Sequence, residues 1–363
     1  MLPPDFTQAL VLTGGGTGGH FFPAVALAEG ARARWPERSV AFVGAQRGIE
    51  ARRLPESPWP HLLLDVEGFL GRSPLRAARS AWKLWRATSH LKGLWRQQRP
   101  WAVIGTGGYG AAPALLAARS LGIPYFLHES NAAPGALIRL VAPKARRVWC
   151  GLEAAQARLQ GAASLTVGTP VRGAFLRPFR PLNDLEPPFR LLVLGGSGGA
   201  RAINEAILEI GTPLLESFPD WELLHQAGPA EFLRLGERPR HARHRLVPFL
   251  ERVDEAMEEA CLIVSRSGAS TCAELAATGR GAILIPLPTA AHGHQLMNAR
   301  ALTEAGHAVI ELQGPDLPAR LLARCRSLMA EPEARLHLAG RPAPNRAVEA
   351  CLDDLAHRMG GGA

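Results

Sequence analysis

The sequence lacks any run of about 20 uninterrupted apolar residues, the length that a membrane-spanning helix needs. Its first residues also lack the basic segment and apolar core of a secretory signal, so we expect the protein to remain in the cytoplasm. Cysteine is scarce, and Cys150, Cys261, Cys272, Cys325 and Cys351 are scattered without the spacing of a zinc site or a disulfide framework. We therefore expect free buried thiols and no redox chemistry.

Lysine is also rare, and arginine supplies nearly all of the positive charge. The 41 basic and 32 acidic residues give a formal net charge of +9, which favours an anionic partner such as phospholipid, nucleic acid or a phosphorylated substrate. The chain has no recognised nucleic-acid-binding motif, so we expect no nucleic acid among its partners.

Two glycine-rich turns stand about half a chain apart, at residues 14–19 and 195–199. Each follows a short apolar run and precedes a segment with a helical pattern. Glycine lets the backbone approach an anionic ligand closely, and the free amides of a helix start favour phosphate. Each turn taken alone is equally compatible with a simple tight connection. Their duplication favours two sheet domains with a cleft between them.

The 363 residues and a hydrophobic content of 47% suit two domains, each with its own core. Apolar runs alternate with helical segments, which predicts parallel sheets covered on both faces. Proline and arginine accumulate at residues 173–188, the predicted linker between an N-terminal domain, 1–172, and a C-terminal domain, 189–344. A last helix, 345–360, is predicted to pack back on the N-terminal domain. Strands are predicted at residues 9–12, 40–44, 62–66, 102–105, 124–128, 191–194, 222–225, 262–265 and 282–286.

Residues 74–96 form a basic helical segment that contains tryptophan. Its cations recur at spacings of three and four, which places them on one stripe with apolar residues at the border. Such a stripe suits an anionic membrane surface. The alternative is a solvated basic face with the tryptophans buried against the sheet. The predicted membrane-contacting residues are Leu75, Arg76, Arg79, Trp82, Lys83, Trp85 and Arg86.

Residues 265–274, SRSGASTCAE, combine the end of an apolar run with a glycine turn and several hydroxyl side chains. The amides of a helix start there are suited to a diphosphate. Glu274 is placed to accept hydrogen bonds from a ribose diol, as acidic residues do in dinucleotide folds, although an ordinary helix cap is the alternative. Further along, Gln295 and Asn298 belong to an amide-rich cluster suited to sugar hydroxyls.

Seven motifs occur in order through nearly the whole chain. They are GGGTGGH at 14–20, GGY at 107–109, HESN at 128–131, GTPVR at 168–172, GGSGGAR at 195–201, RSGA at 266–269 with Glu274, and HQ at 294–295 with Asn298. Together they resemble the MurG family, which transfers N-acetylglucosamine from its uridine diphosphate donor (UDP-GlcNAc) to lipid I, giving the peptidoglycan precursor lipid II. The resemblance implies an α/β GT-B fold of two Rossmann-like domains whose parallel sheets are separated by a cleft. The acceptor would bind the N-terminal domain and the donor mainly the C-terminal one.

The resemblance also implies roles for individual residues in an inverting hexosyltransferase. His20 is the first candidate for the base that accepts the acceptor's hydroxyl proton, since neutral imidazole has a pKa near about 6.5; Glu129 is the second. The implied donor-binding residues are Thr17, Gly18, Gly19, Asn131, Arg172, Ser197, Phe249, Leu250, Arg266, Ser267, Ala269, Ser270, Thr271, Glu274, Gln295 and Asn298. The implied acceptor-binding residues are Gly15, Gly16, Gly107, Gly108 and Tyr109.

Within the donor site, Glu274 would bind the ribose, and Phe249 with Leu250 the uracil. Arg172, Ser197 and the amides of 267–270 would face the diphosphate, and no cofactor or obligatory metal is expected, in agreement with the lack of an Asp-x-Asp sequence. The chain departs from the family pattern at Thr169, where asparagine is common, at Gly198, where glutamine is common, and after Tyr109, where GAAP replaces SGP.

The implied partners are UDP-GlcNAc, lipid I and an anionic membrane surface on the inner face of the cell membrane, where the protein would be peripheral and serve cell-wall biogenesis, cell shape and cell division. Contact with other wall-synthesis proteins stays open. A transferase acting on diacylglycerol or a polyprenyl phosphate would use the same features. A dinucleotide-dependent oxidoreductase is the alternative from another class, but GAQ at 44–46 stands where its acidic residue is expected.

Overall fold

The computed structural model describes residues 4–68, 74–196, 198–290 and 293–360. The chain divides into two compact units: unit 1 comprises Met1–Gly173 with Asn345–Ala363, and unit 2 comprises Ala174–Pro344. Each unit contains one sheet in which all strands are parallel. The prediction of two Rossmann-like domains with parallel sheets is confirmed.

Unit 1 alternates strands with helices around a seven-stranded sheet of order β3-β2-β1-β4-β5-β6-β7. The central strand β1 is buried throughout: Val11 packs into the core on one face, while Leu10 and Leu12 pack into the core on the other. The elements are β1 Leu10–Thr13, α1 Gly18–Arg34, β2 Val40–Ala45, α2 Glu50–Arg53, β3 His61–Leu64, α3 Pro74–Gln97, β4 Ala102–Gly105, α4 Ala112–Leu121, β5 Tyr125–Glu129, α5 Ala136–Val141, β6 Arg147–Cys150, α6 Glu153–Gln156 and β7 Ser164–Thr166.

Unit 2 repeats the pattern with a six-stranded sheet of order β10-β9-β8-β11-β12-β13. Its elements are β8 Phe189–Leu194, α7 Arg201–Ser217, β9 Trp221–Gln226, α8 Pro229–Leu235, β10 His244–Val247, α9 Val253–Glu258, β11 Ala260–Ser265, α10 Ala269–Thr278, β12 Ala282–Leu284, α11 His294–Glu304, β13 Ala308–Ile310, α12 Leu317–Ala330 and α13 Pro332–Ala339. Residues 174–188, predicted as part of a linker, lie within this unit, where Leu185 is buried in the core.

The last helix, α14 (Ala347–Arg358), follows unit 2 in sequence but belongs to unit 1. Its Cys351, Leu352 and Leu355 are buried in the same core as α1. A Cβ at Gly30 of α1 would lie 2.3 Å from the Val348 side chain, so the two helices pack closely at this point. Helix α14 therefore completes one face of the first sheet.

Every predicted strand is present, with its ends within two residues of the prediction. The sequence reasoning missed β6, β7, β10 and β13. Three of these are edge strands, and β6 pairs with the edge strand β7. They are three or four residues long and contain exposed or half-buried positions, so their apolar runs are at most three residues long.

Candidate functional site

The first glycine turn lies at the carboxyl end of β1, where it meets the segment that follows β4. A Cβ at Gly108 would lie 1.9 Å from the carbonyl oxygen of Gly15, and one at Gly16 would lie 2.7 Å from the ring of Tyr109. Gly16, Gly107 and Gly108 also have positive φ angles, a conformation that glycine adopts without strain. The predicted acceptor-binding residues are therefore brought together, and their backbones touch.

His20 lies in the first turn of α1, and one hydrogen bond sets its tautomer. Its Nδ1 is 2.9 Å from the carbonyl oxygen of Thr106. A carbonyl oxygen only accepts, so Nδ1 carries the proton and Nε2 holds the lone pair of the neutral ring. Thr106 also donates its hydroxyl to the carbonyl oxygen of His20, at 2.6 Å. His20 thus has the geometry of a base whose reactive nitrogen is Nε2. The sequence analysis missed Thr106 because threonine is a common residue and this one lies just before the GGY motif, outside it.

Glu129, the second candidate for the base, is used within its own loop. Its Oε1 accepts hydrogen bonds from the backbone and side-chain nitrogens of Asn131, at 2.9 and 3.1 Å, and its Oε2 accepts from the Gly135 amide at 2.8 Å. The carboxylate is only 2% exposed. This arrangement favours a loop-ordering role for Glu129 and leaves His20 as the better-placed base.

His128, on β5 next to Glu129, is fully buried between two hydrogen bonds. Its Nε2 donates to the Gly168 carbonyl oxygen at 3.0 Å, and its Nδ1 faces the Ser130 hydroxyl at 3.2 Å. Burial lowers the pKa of His128 to about 4. The ring is therefore neutral at pH 7 and ties β5 to the GTPVR motif, in which Arg172 stacks over the Phe22 ring at 4.3 Å.

The second glycine turn lies at the carboxyl end of β8. Gln226, at the end of β9, donates its side-chain amide to the carbonyl oxygens of Gly196 and Pro248, at 3.0 and 3.3 Å. It thereby joins the turn to the loop that carries the half-buried Phe249 and Leu250. Gln226 belongs to none of the seven motifs, and its place at a strand end is the only sequence signal for it. The predicted residue Ser197 lies outside the described residues.

Helix α10 begins at Ala269, with Gly268 as its extended N-cap. The amides of a helix's first turn have no acceptor within the helix, and the helix dipole makes this end positive. The predicted Ser270 and Thr271 lie in this turn, and Glu274 lies further along α10, 7% exposed. The structure therefore places an anion-compatible helix start and a carboxylate on one ten-residue helix.

The start of α11 is joined to the start of α10. Ser267 donates its hydroxyl to the Gln295 carbonyl oxygen at 2.8 Å, and Asn298 donates its amide to the Ser267 carbonyl oxygen at 3.2 Å. This bond fixes the orientation of the Asn298 amide and leaves its buried Oδ1 without a hydrogen-bond partner among the described residues. Buried polar atoms are normally satisfied, so Oδ1 has the geometry of an acceptor for an external donor.

Arg266, a predicted donor-binding residue, is bonded to the loops beside the start of α10. Its guanidinium donates to the carbonyl oxygens of Ile285 and Pro286 and to the side chain of Gln313, at 3.0, 3.3 and 2.9 Å. Burial lowers the pKa of Arg266. These bonds are to the segment after β12 and to a residue after β13, so Arg266 supports the loops around the start of α10.

Helix α3 exposes Trp82 and Trp85 and buries Trp95. Trp82 and Trp85 are 54% and 66% exposed and Leu75 is 86% exposed, with Arg76, Arg79 and Arg86 also on the surface. For Trp82 and Trp85, the alternative of burial against the sheet is therefore wrong. Among the described residues, no helix is both long and apolar enough to cross a membrane.

Lys83 is a correction to the predicted membrane face. It is only 6% exposed, and its ammonium group bonds to Asp65 at 2.9 Å and to Glu67 at 2.6 Å. These carboxylates raise the pKa of Lys83. The physical reason is that the buried face of α3 carries Lys83 opposite the segment after β3, which supplies both acids. The charge of Lys83 is therefore neutralised within unit 1.

The cysteines are all buried and free, as predicted. Burial raises the pKa of Cys150 and Cys272 to about 12, so both thiols stay protonated near neutral pH. Within the described part of the chain, no group of three or more histidine, cysteine, aspartate or glutamate side chains is arranged to hold a metal ion.

Comparison with known proteins gives matches across both units. The glycosyltransferase family 28 N-terminal domain matches residues 10–150, and the family 28 C-terminal domain matches residues 190–350. A protein of Syntrophotalea carbinolica named UDP-N-acetylglucosamine--N-acetylmuramyl-(pentapeptide) pyrophosphoryl-undecaprenol N-acetylglucosamine transferase is 44% identical over 308 residues, which cover 84% of this chain and 85% of that protein.

A protein of the same name from Myxococcus xanthus is 33% identical and covers 97% of this chain and 94% of its own. The crystal structure of MurG from Acinetobacter baumannii is 30% identical, with a TM-score of 0.70, and the match covers 95% of this chain and 98% of that one. The resemblance drawn from the seven motifs is thus confirmed, and the chain belongs to the MurG family within glycosyltransferase family 28.

Proposed function

We propose that this chain transfers N-acetylglucosamine from UDP-GlcNAc to the 4-hydroxyl of the N-acetylmuramoyl sugar of lipid I, producing lipid II and UDP. The observation that carries the proposal is the 44% identity, over most of both chains, to a relative whose name states this transfer. The arrangement of His20 supports it independently, because Nδ1 is held as a donor and Nε2 is left as the base.

In the proposed reaction, Nε2 of His20 takes the proton from the acceptor's 4-hydroxyl as that oxygen attacks the anomeric carbon of the donor. The new glycosidic bond forms on the face opposite the departing nucleotide, and the bond from the anomeric carbon to the diphosphate oxygen breaks. One displacement therefore inverts the configuration, and UDP leaves with the bonding electron pair.

The donor is proposed to bind unit 2. The diphosphate would lie at the start of α10, where amide groups and the helix dipole meet its growing charge without an obligatory metal. Glu274 would accept hydrogen bonds from the ribose diol, and Phe249 with Leu250 would lie against the uracil. Asn298 supports the placement of the sugar, because its buried Oδ1 lacks a partner among the described residues.

We further propose that the protein is peripheral on the inner face of the membrane, with α3 as a contact. The support is the exposure of Trp82 and Trp85 beside surface arginines, with Arg86 5.5 Å from the Trp82 ring centroid. Vesicles with anionic lipid should float the wild-type protein, and replacing both tryptophans by serine should weaken this binding. Equal binding to neutral vesicles, or no change on replacement, would contradict the proposal.

The transfer itself is tested with purified protein, UDP-GlcNAc and either lipid I or diacylglycerol as acceptor. We expect lipid II with the first acceptor and no product with the second, with the same rate in the presence of a metal chelator. Product with diacylglycerol alone would replace the proposed acceptor. Loss of activity on chelation that added magnesium restores would overturn the metal-free donor site.

A further inference from the structure

Glu50 has the most completely buried carboxyl group next to the first glycine turn, and the proposed reaction does not use it. It begins α2, after the loop that follows β2, and it is 0% exposed. Burying a carboxyl group costs free energy unless hydrogen bonds compensate for its lost hydration. The position of Glu50 therefore depends on what its two oxygens bind.

Both oxygens bind the glycine turn. Oε1 and Oε2 accept from the Gly16 amide at 3.0 and 2.8 Å, and Oε1 also faces the Ala45 amide at 3.3 Å. Burial raises the pKa of Glu50, and the hydrogen bonds from Gly16 and Ala45 oppose that rise. The Gly16 amide is thus already occupied by a protein acceptor.

Glycines from separate segments surround this carboxyl group. A Cβ at Gly15 would lie 2.1 Å from Oε1, one at Gly110 2.8 Å from Oε1, and one at Gly48 2.8 Å from Oε2. Real Cβ atoms do not approach this closely, so a larger residue at any of these positions would displace the carboxyl group. The glycine at position 15 leaves room for Glu50, a requirement separate from any ligand.

The carboxyl group also determines how the two acceptor-binding segments meet. Gly16, held by Glu50, packs against the Tyr109 ring, and the Tyr109 hydroxyl donates to the Arg47 carbonyl oxygen at 3.2 Å. Gly108 approaches the carbonyl oxygen of Gly15, so its position depends on the same turn. One buried side chain therefore connects the turn after β1, the loop after β2 and the segment after β4.

We propose that Glu50 is a positioning residue for the acceptor: by holding the Gly16 amide it fixes the turn against Gly108 and Tyr109, so that the acceptor's diphosphate meets a preformed backbone surface. This inference rests on the proposed function, and it adds that the surface formed by this turn, Gly108 and Tyr109 meets the diphosphate of lipid I. It also means that the Gly16 amide serves the fold, and that the diphosphate is bound by other groups.

Glu50→Gln tests the inference with almost no change in shape. Both carboxylate oxygens accept from the Gly16 amide, and glutamine has only one acceptor oxygen, so in either orientation its NH₂ group faces the Gly16 N–H. We expect the turn to shift and the KM for lipid I to rise at least tenfold. We expect kcat to change less than threefold and UDP-GlcNAc affinity to change less than the acceptor KM, because most of the proposed donor residues lie in unit 2 and only Thr17, Gly18 and Gly19 adjoin this turn.

The matched control is Glu56→Gln, the same chemical change at a side chain that is 74% exposed in the same unit. It should leave all three quantities unchanged. Glu50→Asp retains the carboxylate, so its KM for lipid I should lie between those of the wild type and Glu50→Gln, and it replaces Glu50→Gln if that variant does not fold.

The inference is overturned if the folded Glu50 variants have the wild-type KM for lipid I. It is also overturned if kcat and donor affinity fall as much as the acceptor KM rises, since that result indicates a general structural role. Failure of the wild-type protein to transfer sugar to lipid I would refute the proposed function instead. The wild-type activity is therefore measured before any variant is compared.

Discussion

Acid should destabilise unit 1 through His128, which the fold holds neutral. The ring is fully buried and binds Gly168 and Ser130 in its neutral form, and its pKa is lowered from 6.5 to about 4. In the unfolded chain the ring takes up a proton as the pH falls below about 6.5, whereas in the folded chain it does not until about pH 4. The stability that depends on neutral His128 is therefore complete above pH 6.5 and is lost as the pH falls towards 4.

The size of the loss follows from the difference between the two pKa values. At about 1.4 kcal/mol per pKa unit, the shift from 6.5 to about 4 corresponds to about 3 kcal/mol in total. At pH 5, where the unfolded ring is almost fully protonated and the folded ring almost fully neutral, about 2 kcal/mol of this is already lost. That is a large fraction of the 5–15 kcal/mol typical of folded proteins.

Urea unfolding at pH 7.5 and pH 5 measures this loss. Tryptophan fluorescence reports mainly unit 1, because every tryptophan except Trp221 lies there. His128→Asn should be less stable at pH 7.5 but should lose about 2 kcal/mol less than the wild type between the two pH values. His90→Asn, at an exposed histidine of α3, is the control and should behave as the wild type. If His128→Asn retains the wild-type pH dependence, the reasoning from burial is refuted.

Two further pairs of substitutions separate roles that the sequence presents alike. His20→Ala should lower kcat by about a hundredfold or more with little change in UDP-GlcNAc affinity, whereas Glu274→Ala should weaken UDP-GlcNAc binding by about tenfold or more. Steady-state rates measure kcat, and titration calorimetry measures the donor affinity. Equal losses of donor affinity in the two variants would contradict this division of roles. Gly15→Ala should destabilise unit 1 by about 1–3 kcal/mol in urea unfolding, because its Cβ would overlap the Glu50 carboxyl group. Gly198→Ala should be close to neutral, within about 0.5 kcal/mol, since a Cβ there meets nothing within 4 Å, and equal losses at the two glycines would disprove the distinction.

The strands that were predicted well share one property. Strands such as β1 and β8 contain buried apolar runs of three or four residues because helices cover both faces of a parallel sheet, so their burial is visible in the sequence itself. The same holds for the glycine turns, whose motifs also carry the family resemblance. The edge strands β7, β10 and β13 were missed because their short length and partial exposure weaken that signal.

Local sequence therefore determined the two parallel sheets, the positions of the turns and the family. Tertiary structure decided which groups are engaged and which remain for a ligand: Lys83 bonds to acids 16 and 18 residues away, Glu50 to an amide 34 residues away, and His20 to a carbonyl 86 residues away. The physical reason is that burial and strand periodicity depend on neighbouring residues, whereas the partner of a hydrogen bond or charge depends on which distant segments the folded chain brings together.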